Sequence, residues 1–460
     1  MTGAAIREAM PRPAAGSILA SCPATTRREL LMPIAAIPAP AAWRRAALLA
    51  ACGLCAVLPA TELSVVADHQ DGLYQIGEMV TWTVTAAGAA GPDITYAVKA
   101  GGMQEIAKGT LSFTNGTASV HASLDHPGTL LLSIAHDGRQ SLGGAAVAWT
   151  AIEPSAGPPA DFDAFWADKV AELQKVAPAP QLTPVESGNP KVLLWLITMD
   201  NIRGTKIHGY LARPVAEGPC PAMLVVQWAG VYALDKKWSV GPAANGWLVL
   251  NIGAHDLPVD QAKEFYDQQS AGPLKDYPSI GSEDRETMYF LRMYLSCYRA
   301  ADYLSQRPDW NHAALLVQGG SQGGLQSLVT AGLHPAITAV TANVPAGCDH
   351  TGAQVGREPG WPHLINSWNR KDQQKVALAA PYYDVVNFAR RIRCPVLVGM
   401  GLVDTTCPPA GVFAMFDRIH SPKRILIMPG AGHMGPHDAY YPVMNAWWEA
   451  ARAGKPLPLQ

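Results

Sequence analysis

The sequence predicts an α/β fold, a mostly parallel sheet flanked by helices, preceded by a small all-β sandwich of immunoglobulin-like type. Three observations predict it. Up to residue 152, short alternating segments are separated by Gly, Pro, Asn and Asp clusters. After residue 160, apolar runs of strand length alternate with segments of helical spacing. Between them lies EPSAGPPA (Glu153–Ala160), whose proline and glycine content reads as a linker. The expected organisation is a leader over residues 1–60, a β domain over 61–152, the linker over 153–160 and an α/β domain over 161–460.

Each part has its own texture. The apolar stretch WRRAALLAACGLCAVLPA (Trp43–Ala60) follows two arginines and ends on a small residue, the pattern of an export leader, and Met32 is an alternative start. Leu49-Ala50-Ala51-Cys52 resembles a lipoprotein box, so lipid anchoring stays open beside a periplasmic or secreted product. In the β part, MVTWTVTA (Met79–Ala86) sets Val80, Trp82 and Val84 on one face, and ITYAVKA and TLLLSIAHDG continue the pattern. No catalytic constellation is legible there; packing against the following domain is a simpler role than glycan binding. In the α/β part, DFDAFWADKVAEL (Asp161–Leu173) sets Phe162, Phe165, Trp166 and Leu173 on one helical stripe. Strand-like runs follow at VLLWLIT, IHGYLARP, AMLVVQW, WLVLNIG, ALLVQG, AVTANV, VLVGMG and RILIMPG. Ser282–Gln306 reads as a helix with Ser282 as N-cap and acids in its first turn.

Composition narrows the function classes. A net charge of −2 without blocks of like charge argues against nucleic acid as a partner. No run of eighteen apolar residues is present to span a bilayer as a helix. Of eight cysteines, Cys22, Cys52 and Cys55 fall in the leader. The other five (Cys220, Cys297, Cys348, Cys394 and Cys407) have no framework spacing and no CxxC pair, so buried thiols are expected.

The chemistry is concentrated around VQGGSQGGLQ (Val317–Gln326). It is neither a P-loop, which needs Lys after its last glycine, nor a dinucleotide fingerprint. It does satisfy Gly-x-Ser-x-Gly as Gly319-Gly320-Ser321-Gln322-Gly323, between an apolar strand and a helix, where a sharp turn presents the serine. Such an elbow requires an acid and then a histidine, each beyond a later strand. VLVGMG is followed by Asp404, and RILIMPG is followed by His433. Singly, Asp404 reads as a helix cap and His433 as a loop histidine; together and in this order they complete Ser321, Asp404 and His433 as nucleophile, acid and base of an α/β hydrolase. The backbone N–H groups of Gln322 and of Val231, in the loop QWAGVY after AMLVVQW, are the expected oxyanion donors.

From Asp161 to Trp448 the sequence resembles the acetylxylan esterases and cephalosporin-C deacetylases, carbohydrate esterase family seven. The resemblance lies in DFDAFW, GGSQGG, VPAGCDH (Val344–His350), YYDVVNFARRIRCPVLVGMGLVDTTCPP (Tyr382–Pro409), VFAMFD and GAGH. It implies hydrolysis of acetyl esters on carbohydrates, with Ser321, Asp404 and His433 as the triad, Val231 and Gln322 at the oxyanion positions, and no metal or organic cofactor. Trp228, Tyr232, Pro345 and Trp361 are the expected pocket residues. Three departures stand out: Val231 where the family has an aromatic residue, NIGAHDLPVD (Asn251–Asp260) where it has Arg-Gly-Gln, and Met434 where a glutamate follows the base. These departures, with the added β domain, leave the substrate and any homo-oligomer open. Two rivals are a serine peptidase of prolyl-oligopeptidase type, whose β domain is a far larger propeller, and a non-catalytic glycan-binding protein. A metal site at His433, His437 and Asp438 is a third, which a hydrolase loop explains more simply.

Overall fold

A computed structural model of the chain describes residues 62–87, 94–366 and 371–459. The expected leader, residues 1–60, lies outside the described residues.

Among the described residues eight strands come first: β1 (Glu62–Ala67), β2 (Leu73–Tyr74), β3 (Val80–Ala87), β4 (Thr95–Ala100), β5 (Gln104–Thr110), β6 (Thr117–Ala122), β7 (Gly128–His136) and β8 (Arg139–Val147). They form two sheets, β1-β3-β6 and β2-β8-β7-β4-β5. Period-two alternation builds the core between them. Val80, Trp82 and Val84 from the first sheet meet Val98, Leu130, Leu132 and Ile134 from the second in one buried cluster.

The second part is a nine-stranded sheet in the order β17-β16-β15-β14-β12-β13-β11-β10-β9. Its strands are β9 (Gln181–Val185), β10 (Val192–Asp200), β11 (Lys206–Pro214), β12 (Cys220–Val225), β13 (Leu248–Ile252), β14 (Trp310–Gly320), β15 (Ala339–Asn343), β16 (Val396–Gly401) and β17 (Lys423–Met428). All pairs from β13 to β17 are parallel, and β11, β10 and β9 are antiparallel additions at one edge. Among the described residues the helices are α1 (Phe162–Gln174), α2 (Lys237–Ala244), α3 (Lys263–Ala271), α4 (Tyr289–Ser305), α5 (Gln322–Leu333), α6 (Gln373–Ala379), α7 (Val385–Ala389), α8 (Pro409–Asp417) and α9 (Tyr440–Arg452). Strand residues alternate between the two faces. Ala222, Leu224, Leu315 and Val317 join the cluster with α1, α4, α5, α7 and α8, while Met223, Val225 and Leu316 join the one with α2 and α9. A strand buried on both faces is why these runs read as continuously apolar.

The predicted helix 282–306 is shorter than expected. It begins at Tyr289 with Met288 at its N-cap, and Ser282 is buried in the turn before it. Asp284 accepts the Glu286 N–H at 2.9 Å, and the Thr287 hydroxyl donates to the Gly281 carbonyl at 3.0 Å. These short side chains satisfy turn groups locally, in competition with helix.

The β layers are built into the α/β part. Ala146 and Ile152 belong to the larger core, and the Trp149 ring lies 5.1 Å from that of Phe413. Residues 152–160 form neither helix nor strand, yet they are anchored. The Ser155 N–H and hydroxyl both donate to Asp349, the N–H at 2.8 Å, and Glu153 pairs with Arg418. Higher up, the Glu358 N–H donates to the Gly101 carbonyl at 2.8 Å.

Candidate active site

Parallel strands carry their C-terminal ends to one edge, and an open sheet gathers its functional loops there. The loops after β12, β13, β14, β16 and β17 hold Val231, His255, Ser321, Asp404 and His433. Ser321 sits between β14 and α5 with φ 56° and ψ −122°. Such a backbone costs a non-glycine residue on the order of 1–3 kcal/mol and persists only where its surroundings enforce it. The flanking glycines permit it. A Cβ on Gly319 would lie 2.6 Å from the Gly323 carbonyl group, and one on Gly323 would lie 2.7 Å from the Val226 oxygen. The turn is pinned by the Ser321 N–H donating to the Asn343 carbonyl at 2.9 Å, and by the Ser321 carbonyl accepting from Ala346 at 3.1 Å.

His433 bridges the other two residues. Its Nδ1 lies 2.9 Å from Asp404 Oδ2, and its Nε2 lies 2.9 Å from Ser321 Oγ. Asp404 is buried; its second oxygen accepts the N–H groups of Thr406 at 2.8 Å and Cys407 at 2.7 Å. A carboxylate so held accepts the Nδ1 proton and leaves Nε2 as the acceptor for the serine hydroxyl. That is the tautomer in which imidazole can take a proton from Ser321. His437 stands behind this relay. Its Nε2 donates to the Gly432 carbonyl at 3.0 Å, and its Nδ1 accepts from the Asn343 amide at 3.1 Å. Asn343 thus supports the serine through its carbonyl and the histidine loop through its side chain.

Asp404, Cys407 and His433 also present ligand-type atoms within 4.8 Å of one another. Burial pushes the Cys407 thiol well above its ordinary value, so it stays protonated. The carboxylate and both imidazole nitrogens are already engaged in the serine relay.

Gln322 opens α5, and its side chain ties that helix to the loop after β12. Its Oε1 accepts the Tyr277 hydroxyl at 2.5 Å, and its Nε2 donates to the Gln227 carbonyl at 3.3 Å. Val231 lies in the same loop and borders a cavity of about 1040 Å³ with Gly230, Tyr277, Ile280 and Trp361. Of the expected pocket residues, Trp361 lines this cavity, whereas Trp228, Tyr232 and Pro345 do not. Tyr232 stacks on Trp228 with ring centres 5.4 Å apart and donates to the Trp228 carbonyl at 2.9 Å. Trp228 packs edge-on against Trp238 of α2 at 4.7 Å and is 45% exposed. Ring-on-ring packing turns this pair away from the cavity. Pro345 is taken up beneath α5, where a Cβ on Gly324 would meet it at 2.9 Å.

The sequence reading assigned nothing to Tyr277, Asn343 or His255. His255 carried the clearest signal, because it follows β13 at the edge where open α/β sheets place functional groups.

A doubly covered parallel sheet with this serine turn belongs to the α/β-hydrolase class, and the chain is a carboxylic ester hydrolase. Residues 151–448 match the family described as acetyl xylan esterase (AXE1), and the chain belongs to that family. The acetyl esterase Axe7A of Xylanibacter ruminicola is 33% identical over 388 residues, covering 82% of this chain and 88% of that protein. The acetyl xylan esterase from Paenibacillus sp. R4 is similar in structure with a TM-score of 0.58 at 25% identity, over 66% of this chain and 98% of that one. Acetyl xylan esterase 1 from Thermoanaerobacterium sp. JW/SL YS485 shares the fold with a TM-score of 0.55 at 24% identity, over 65% of this chain and 97% of that one.

Proposed function

We propose that the chain is a serine esterase that removes acetyl groups from acetylated saccharides, with Ser321 as nucleophile, His433 as base and Asp404 as the acid that orients it. The observation that carries this reading is the hydrogen-bond chain Asp404–His433–Ser321, 2.9 Å at both links, anchored on a serine of positive φ. Ser321 Oγ attacks the acetyl carbonyl as its proton passes to His433 Nε2. The N–H groups of Val231 and Gln322 receive the charge that develops on the carbonyl oxygen. His433 then protonates the departing sugar oxygen, and water admitted to the acetyl-enzyme repeats the sequence to release acetate.

The family and the names of its relatives support acetylated xylan or xylo-oligosaccharides, and cephalosporin C is a further acetyl ester that the sequence resemblance implies. Acetate release from acetylated xylan, xylo-oligosaccharides, acetylated hexoses and cephalosporin C tests the substrate. Cleavage of an aminoacyl p-nitroanilide with no acetate release from any of them would overturn it. The β domain is proposed to be immunoglobulin-like. Its order of β1-β3-β6 against β8-β7-β4-β5, with β2 pairing parallel to β8, supports that topology. Export through the leader in residues 1–60 is likewise proposed, on its apolar core after Arg44 and Arg45.

A further inference from the structure

The loop that carries Val231 has a weak point. Gly230 adopts φ 123°, a conformation without a side chain to define it, so the peptide joining Gly230 to Val231 can rotate. In a trans peptide the carbonyl and the N–H point in opposite directions. Whatever grips the Gly230 oxygen therefore aims the Val231 N–H. The grip comes from His255, whose Nε2 lies 2.9 Å from that oxygen. A carbonyl only accepts, so Nε2 carries the proton and Nδ1 must accept. Nδ1 lies 2.7 Å from the Tyr289 hydroxyl, which donates to it. Arg292 donates to the Tyr289 oxygen at 3.2 Å and to the Ala254 carbonyl at 2.6 Å. Donation runs one way, from Arg292 through Tyr289 and His255 to Gly230, and each step fixes the direction of the next. Burial, helped by the Arg292 charge, pushes His255 down to about 4, so the neutral tautomer holds at neutral pH. The Tyr277 ring closes on the imidazole edge at 4.7 Å while its hydroxyl holds Gln322.

We propose that His255 is the positioning residue of the oxyanion hole, holding the Gly230–Val231 peptide in the orientation that presents the Val231 N–H to the reacting carbonyl. The inference rests on Val231 being an oxyanion donor, as proposed above. It gives NIGAHDLPVD a function at the point where the sequence departs from its family. His255 is placed by β13, far from the reacting atoms in sequence, and acts through the peptide it holds.

Three variants of the full chain test it on p-nitrophenyl acetate, with a trifluoromethyl ketone as a probe that forms an oxyanion on Ser321. Loss of one oxyanion donor slows turnover by about 10²–10³-fold. His255→Leu should lower kcat by about 10²-fold with KM within about threefold, and weaken the ketone by a similar factor. His255→Gln, whose amide can donate to the same carbonyl, should recover most of both. Val231→Pro, which deletes the N–H itself, should match the leucine variant. Thermal unfolding of each variant separates damage to the fold from damage to the site. If Val231→Pro loses kcat and ketone affinity while a folded His255→Leu keeps both, the role of His255 is overturned. If Val231→Pro keeps both, Val231 is not the donor and the reading beneath the inference fails. Equal loss in His255→Gln and His255→Leu, with both variants folded, would also overturn it.

Discussion

Gly144→Ala offers a test of whether the β layers help to position the acid of the site. Gly144 lies in β8, paired with Leu131 of β7. A Cβ placed on it would lie 2.5 Å from the carbonyl oxygen of Leu402 and 2.6 Å from its carbonyl carbon. Leu402 directly follows β16, two residues before Asp404, and its N–H donates to the Met428 carbonyl at 3.3 Å. Real Cβ contacts essentially never fall below 3.0 Å, so the added methyl must push the two backbones apart by about half an ångström. Overpacking of this kind typically costs about 1–3 kcal/mol. A misplacement of about 1 Å in a reacting group costs about 10²-fold, so half of that displacement at Asp404 predicts a fall of about tenfold in kcat. The adjacent glycine is the control. A Cβ on Gly143 would instead meet Val65 at 2.7 Å and Trp82 at 2.8 Å, inside the β domain's own core. Both alanine variants should unfold at lower temperature, but only Gly144→Ala should lose turnover of p-nitrophenyl acetate in the folded state. Wild-type kcat in Gly144→Ala, at a stability loss equal to that of Gly143→Ala, would refute the coupling.

Other expectations concern the site and its pH response. Ser321→Ala should lower kcat for p-nitrophenyl acetate by about 10⁶-fold with unchanged unfolding, and substantial activity in the purified variant would remove Ser321 from the nucleophile position. Because Val231 borders the cavity beside Trp361, wild type should turn over propionyl and butyryl esters measurably, with acetyl preferred. Val231→Tyr should sharpen that preference by about tenfold or more per methylene in kcat/KM, and equal rejection of propionyl by both proteins would refute the open pocket. Burial lowers both His255 and His350 from 6.5 to about 4, so the unfolded chain binds two more protons across that window and stability falls on acidification. Burial and the neighbouring Asp349 raise Asp384 from 3.8 to about 7, which acts oppositely, as the native state keeps a proton the unfolded chain has released. The balance is one proton, or roughly 1.4 kcal/mol lost per pH unit between about pH 6 and 4.5 in urea unfolding. His350→Asn should flatten that slope, and an unchanged slope would refute the assignment.

What could be read in advance follows from how far each interaction reaches along the chain. The parallel strands were legible because burial on both faces leaves a signature within six or seven residues. Ser321, Asp404 and His433 were legible because strand order and a glycine-bounded turn constrain them together. β9 was not, since QLTPV is almost wholly exposed at the sheet edge and contains Pro184, which a central strand would reject. Ser282 failed as a cap because Asp284 and Thr287 close turns before the helix starts. The stacking of Trp228 and Tyr232 beside Trp238 was not legible, because that ring is supplied by a helix whose packing leaves no mark in QWAGVY.

The two halves of the site are held by different kinds of structure. Ser321 is gripped within the sheet, by Asn343 of the neighbouring strand and by Gly319 and Gly323, where a Cβ would collide with backbone. Asp404 and the loop that carries Val231 are held instead by neighbouring loops and by the β layers. Leu402 lies against Gly144 and against Gly72, where a Cβ would lie 2.5 Å from the Leu402 side chain, and the Gly230 carbonyl is held by His255 from the loop after β13. A support that acts through a backbone carbonyl or a steric wall does not specify its own residue type. It requires only a donor or a surface at the right point. Such supports tolerate exchange for others of equal geometry, whereas the serine, aspartate and histidine they position do not.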